Sequence, residues 1–223
     1  MPRPRVHDLS GLLDTTERLV ADVGAERVTV RELAAAAGVP NGTIYHAFGS
    51  LGAVLARTWL RAANDFLDLQ RELADRAAAG GCGAHAAVVA AALTPAEFAE
   101  RRNAAARMLL TVERDRLLGP RLPEELADEL IGIDARVVSL LVGLSEAVWN
   151  RRDGAAVEVM TTCVVDLPSA LLRRALTGAE TRPVPEHLRD RLASAVRAVL
   201  AVPPPAAPRR PDPSTTHSPT TKD

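Results

Sequence analysis

The chain is almost without lysine: of its 27 basic residues, 26 are arginines and one is Lys222. Together with the excess of alanine, this points to mutational bias rather than to a functional signal. Cysteine is also scarce, and Cys82 and Cys163 cannot build a disulfide framework in 223 residues, so ordinary buried thiols are expected. Cys82 and His85 would supply half of a metal site, and no second Cys/His pair completes it, so no metal and no cofactor are expected. Long apolar runs are missing: the stretch from Val137 to Leu144 falls far short of the roughly 18 to 20 residues that span a membrane. The opening MPRPRVHDLSG has no apolar core behind its arginines, which argues against a signal peptide; a cytoplasmic protein with no membrane partner is expected. Nucleophile–base pairs and phosphate loops are likewise wanting, so an enzyme is not expected. Gly143-Leu144-Ser145-Glu146-Ala147 lacks the second glycine of a nucleophile elbow, and Asn41-Gly42-Thr43 fits a glycosylation sequon only incidentally. Nor is there an excess of one charge: the net charge is -1, and residues 1 to 50 hold five arginines against six acids. Attraction to a polyanion would have to come from placement.

What is present is helical periodicity. Hydrophobic residues make up 47% of the chain and recur at helical spacing, which predicts an all-α protein. A first helix is expected over 9–23, with Leu12, Leu13, Thr16, Leu19, Val20 and Val23 inward. Thr29-Val30-Arg31-Glu32 reads as a capping box that starts a second helix, and Gly38 stops it in a left-handed turn. A short third helix over 41–48 puts Ile44 and Phe48 on one face, and Gly49-Ser50 gives a break and a new cap. A long helix over 51–79 follows, then helices over 83–93 and 94–118, the latter entered through Thr94-Pro95. Another long helix is expected over 124–152, an apolar one over 155–176 kinked at Pro168, and a final one over 186–202. The last 21 residues hold seven prolines and six serines or threonines, a composition expected to stay disordered.

Helix, Gly38 turn and helix, with Ala34 small at the crossing and Val39 and Ile44 apolar, is the spacing of a helix-turn-helix. The sequence VTVRELAAAAGVPNGTIYHAFGS resembles the DNA-binding segment of TetR-family repressors, over about the first 60 residues. The resemblance implies a three-helix DNA-binding domain (1–50), then a larger helical domain (51–202) that binds an effector and dimerises, before the 203–223 tail. It places Thr43, Tyr45 and His46 of the recognition helix on phosphates or base edges, with Asn41 at its entrance. It implies that Thr29 and Arg31 anchor the preceding helix to the DNA backbone, while Arg3 and Arg5 form an arm reaching toward DNA. The family's usual lysine after the Phe-x-Ser turn is replaced by Leu51, and Arg57 is the candidate substitute.

Trp59, Phe66, Met108, Trp149 and Met160 fit either a ligand cavity or an ordinary core. Arg107, Glu113 and Arg114 fit pocket polar groups or solvated charges. Two apolar C-terminal helices favour a two-fold four-helix interface. The expected function is a homodimeric regulator on duplex DNA, a repressor released from a palindromic operator by a small-molecule effector. An effector-independent regulator and a helical interaction protein remain the alternatives.

Overall fold

A computed structural model describes residues 9–119, 122–178 and 183–206, and every regular element among them is helical. α1 (Leu9–Val23), α2 (Val30–Ala37) and α3 (Asn41–Phe48) form the first unit, entered from α1 through a 3₁₀ turn at Ala25–Arg27. These three coincide with the sequence expectation. They close on Leu12, Leu33, Ala34, Ile44 and Val54, the last contributed by α4 (Leu51–Ala77), so the long helix is part of the small unit's core. The inner face of α1 differs in detail. Thr15, Thr16 and Glu17 are buried and Val23 is exposed, because α1 packs on α4 and on α6 (Asn103–Thr111) as well as on α2.

The larger unit is built from α4, α5 (Gly83–Arg101), α6, α7 (Arg114–Leu117), α8 (Glu124–Trp149), α9 (Gly154–Thr161), α10 (Leu167–Leu176) and α11 (Glu186–Leu200). Two clusters fill it. One joins α4, α5, α8, α9, α10 and α11 around Val88, Met160, Leu172, Leu192 and Val196; the other joins α4, α6 and α8 around Met108, Leu126 and Leu130.

The helix boundary expected at Thr94-Pro95 is absent, and α5 runs through Pro95 to Arg101. The proline removes a donor to the Ala91 carbonyl, but the Gln70 amide of α4 donates there instead at 2.9 Å. With that acceptor satisfied and Ala92, Ala96 and Phe98 buried, the helix continues. The break falls at Arg102 (φ -143°, ψ 69°), and 94–118 resolves into the end of α5, then α6 and α7. Pro168 produces a widened turn over Thr162–Asp166 rather than a simple kink: Leu167 N–H reaches back to the Thr162 carbonyl, and the proline sits in the first turn of α10.

The stretch Gly154–Leu176 is long and apolar enough to cross a membrane by length and composition, which corrects the expectation drawn from uninterrupted runs. Met160, Cys163, Val164, Leu172 and Leu176 in it belong to the core, while about a third of its most apolar window is buried. Of the proline-rich tail, residues 203–206 are described: the Arg151 guanidinium donates to the carbonyls of Pro204 at 3.1 Å and Pro205 at 2.7 Å. The expected disorder of the remaining tail falls on residues outside the described ones.

Candidate nucleic-acid interface

The turn between α2 and α3 is held at both ends. Thr29 Oγ1 accepts from Glu32 N–H at 3.2 Å while the Glu32 carboxylate accepts from Thr29 N–H at 2.9 Å, completing the capping box. Gly38 takes φ 66° and ψ 32°, and its N–H closes on the Ala34 and Ala35 carbonyls. A side chain at that position would be strained in the left-handed conformation. α3 then buries Ile44 completely and Phe48 partly. Its opposite face presents Asn41, Gly42, Tyr45 and His46, with Thr43 half-buried at the edge. Tyr45 is 54% exposed, which leaves its ring and hydroxyl open to a partner. Arg31 is exposed on α2, and Thr29, also exposed, has its hydroxyl engaged with Glu32. Arg3 and Arg5 lie outside the described residues.

The near-neutral composition of this unit hides an uneven distribution of charge. Asp14 and Glu17 pair with Arg61 of α4, Glu26 pairs with Arg116 of α7, and Glu32 serves the cap. Arg18, Arg27, Arg31 and Arg57 make no ion pair among the described residues. Asp14, Glu17 and Glu26 are thus engaged by the larger unit and Glu32 by its own cap, Asp22 makes no ion pair among the described residues, and these arginines stay available to an anionic partner. Leu51, at the place of the family's usual lysine, is half-buried and packs against two core clusters, so that position does structural work here.

Glu17 lies at the centre of a charge network. Its side chain is 7% exposed and receives Arg102 at 2.6 and 2.9 Å and Arg61 at 2.7 Å; Arg102 also pairs with Asp65. The network ties α1 to α4 and to the α5–α6 break. Sequence reading placed no role on Glu17 or Arg102, because their partners stand 44 and 85 residues away from Glu17.

Away from this face, α4, α5, α6, α8 and α10 surround a cavity of about 300 Å³. Trp59 and Phe66 lie in its wall, Trp59 donating to the Val112 carbonyl at 3.2 Å and Phe66 meeting Phe98 edge to face at 5.5 Å. Met108, Met160 and Trp149 lie elsewhere. Met108 and Met160 are fully buried in the two clusters, and Trp149 packs against the cluster that holds Met160, so these three fill core. Arg107, Glu113 and Arg114 are not in the wall; Glu113 pairs with Arg116 and Arg114 with Asp134. Gln70, Ser169 and Arg173 are its polar members, and the sequence offered no period or motif to single them out.

Residues 12–57 match the family model described as bacterial regulatory proteins, tetR family. No curated protein matches the chain. Solved structures share its fold at low identity. The TetR family transcriptional regulator PfmR of Thermus thermophilus is 16% identical with a TM-score of 0.60, covering 85% of this chain and 97% of its own. The fatty acid degradation regulator FadR of Bacillus halodurans gives 16% and 0.61, covering 86% of this chain and 97% of its own. The ketosteroid transcriptional regulator of Mycobacterium tuberculosis gives 16% and 0.58, covering 86% and 93%.

Proposed function

Proceeding from residues 12–57 as a tetR-family DNA-binding segment, we propose that the chain is a homodimeric repressor released from a palindromic operator by a small molecule. The observation that carries the DNA half is α3, locked on one side by Ile44 and offering Asn41, Tyr45 and His46 on the other, with Thr43 at the edge. A helix so fixed can enter a major groove with its exposed residues leading. Arg31 and Arg57 stand ready for phosphates, and in this reading Arg3 and Arg5 reach the adjacent groove. Thr29 contributes by holding the N-terminus of α2.

One eight-residue helix reads too few base pairs for a unique site, so two copies about 34 Å apart are required. The apolar stretch Gly154–Leu176, only partly covered within one chain, together with α11 supplies a face for the second copy. The cavity is the effector site, and the cytoplasm is where such a regulator meets DNA.

Selection of genomic fragments by the purified full chain tests the DNA half. A palindromic consensus is expected, bound with an affinity that falls steeply with salt as counterions are released. Tyr45→Ala should reduce operator affinity by about 5- to 150-fold, from loss of a contact worth about 1–3 kcal/mol, with the circular dichroism spectrum and dimer mass unchanged. Recovery of no common sequence, or binding indifferent to salt, would overturn the reading.

A further inference from the structure

The wall of the cavity is hydrocarbon except at a few points, and their placement is uneven. The Trp59 indole N–H is spent on Val112, and the buried Gln70 amide is spent on the carbonyl orphaned by Pro95. Among the lining residues, Val165, Ser169 and Arg173 alone are exposed, and they follow one another at four-residue spacing along the turn before α10 and α10 itself. Residues so spaced share one face of the helix, so within one chain the cavity opens along this stripe, which belongs to the stretch proposed above to meet the second copy. Arg173 makes no ion pair among the described residues, and its neighbour Ser169, one turn earlier, has a hydroxyl without a hydrogen bond there. Among the described residues, no aspartate or glutamate lines the cavity.

A cationic ligand would therefore find no counter-charge, and a wholly apolar ligand would leave the arginine unused. A guanidinium presents paired donors that match the two oxygens of a carboxylate, and a second hydroxyl donor beside it adds to the same acceptor. A single cation balances a single negative charge, which favours carboxylate over a dianionic phosphate. From this arrangement we propose that the effector is an amphiphile with one carboxylate head. The head sits at the mouth on Arg173 and Ser169, and an apolar body fills the space walled by Trp59, Phe66, Leu109 and Leu140. The inference rests on the cavity being the effector site named above, and it does not depend on DNA.

Calorimetric titration of the DNA-free full chain with decanoate, decanol and decyltrimethylammonium tests it, the tail being held constant while the head changes. Decanoate should bind at least about tenfold more tightly than either of the others, the difference expected for a charge-assisted hydrogen-bonded pair. Arg173→Gln, exposed within one chain and used with the dimer mass confirmed unchanged, should remove most of that preference while leaving decanol unchanged. Ser169→Ala should remove a smaller part of it. Equal binding of decanoate and decanol, equal weakening of both by Arg173→Gln, or no binding of any of the three would overturn the proposal. A decanoate preference lost in Arg173→Gln, with operator affinity insensitive to decanoate, would uphold it while overturning effector release.

Discussion

Cys163 illustrates how far burial decides the chemistry of a single residue. Its side chain is inaccessible in the core beside Met160 and Val164, and desolvation of the charged form pushes its thiol up to about 11. The thiolate is the nucleophile in alkylation, so at pH 8 the group is both shielded and neutral. In a Cys82→Ser background, iodoacetamide should modify Cys163 no faster than the chain unfolds, read by intact mass against time. Modification within minutes in native buffer would contradict the assigned burial. At this scale the sequence was legible where a residue's role is local. The Thr29–Glu32 cap, the Gly38 turn and the outward face of Tyr45 follow from neighbours within four positions. Leu51 shows the opposite: the missing lysine could be read from the sequence, whereas its replacement by a packing residue required the two clusters that meet there.

At the scale of elements, the turn from α8 to α9 is held by one aspartate. Asn150 ends α8 in the left-handed conformation, and Asp153 caps α9 by accepting from Ala156 N–H. The Arg151 guanidinium donates to both Asp153 oxygens at 2.7 Å and continues to the carbonyls of Pro204 and Pro205 beyond α11. This hydrogen bonding, with the cap, holds the Asp153 carboxyl down to about 2 from the usual 3.8. A carboxyl depressed in the folded state stabilises it above the unfolded value, and that contribution is lost as pH falls from about 4 toward 2. Asp153→Asn should therefore be less stable than the parent at pH 6, the two converging near pH 2, as read by urea midpoints across that range. A difference that persists undiminished at pH 2 would remove the charge from the explanation. The same scale explains the misplaced boundary at Pro95. A proline after threonine reads locally as a helix start, and the donor that lets α5 pass through it comes from Gln70, 21 residues away from Ala91. Element type was legible from periodicity, but whether a helix bends, stops or continues was decided by tertiary partners.

For the molecule as a whole, the question is how the cavity and α3 could sense each other. Their connection includes α4, which contributes Val54 to the DNA-binding core and Trp59 to the cavity wall. A second connection is the charge network, since Arg102 stands at the α5–α6 break while Ala106 and Leu109 of the adjoining α6 line the cavity. A ligand that shifts α6 would displace Arg102 relative to Glu17 and so bias the position of α1. Coupling of this kind requires a ligand with different affinity for the two arrangements, and it acts equally in both directions. Glu17→Gln keeps the shape but removes the charge that both arginines share. The pairs involve partly exposed arginines, so the loss of stability should be about 1–3 kcal/mol, below that of a fully buried pair. The variant should still bind operator and decanoate separately, yet decanoate should no longer weaken operator binding, as measured by operator titrations with and without saturating ligand. Asp14→Asn, which removes a pair whose acid is 58% exposed, should leave the coupling intact. If Glu17→Gln retains the full ligand effect, the network is structural only and the signal travels along α4.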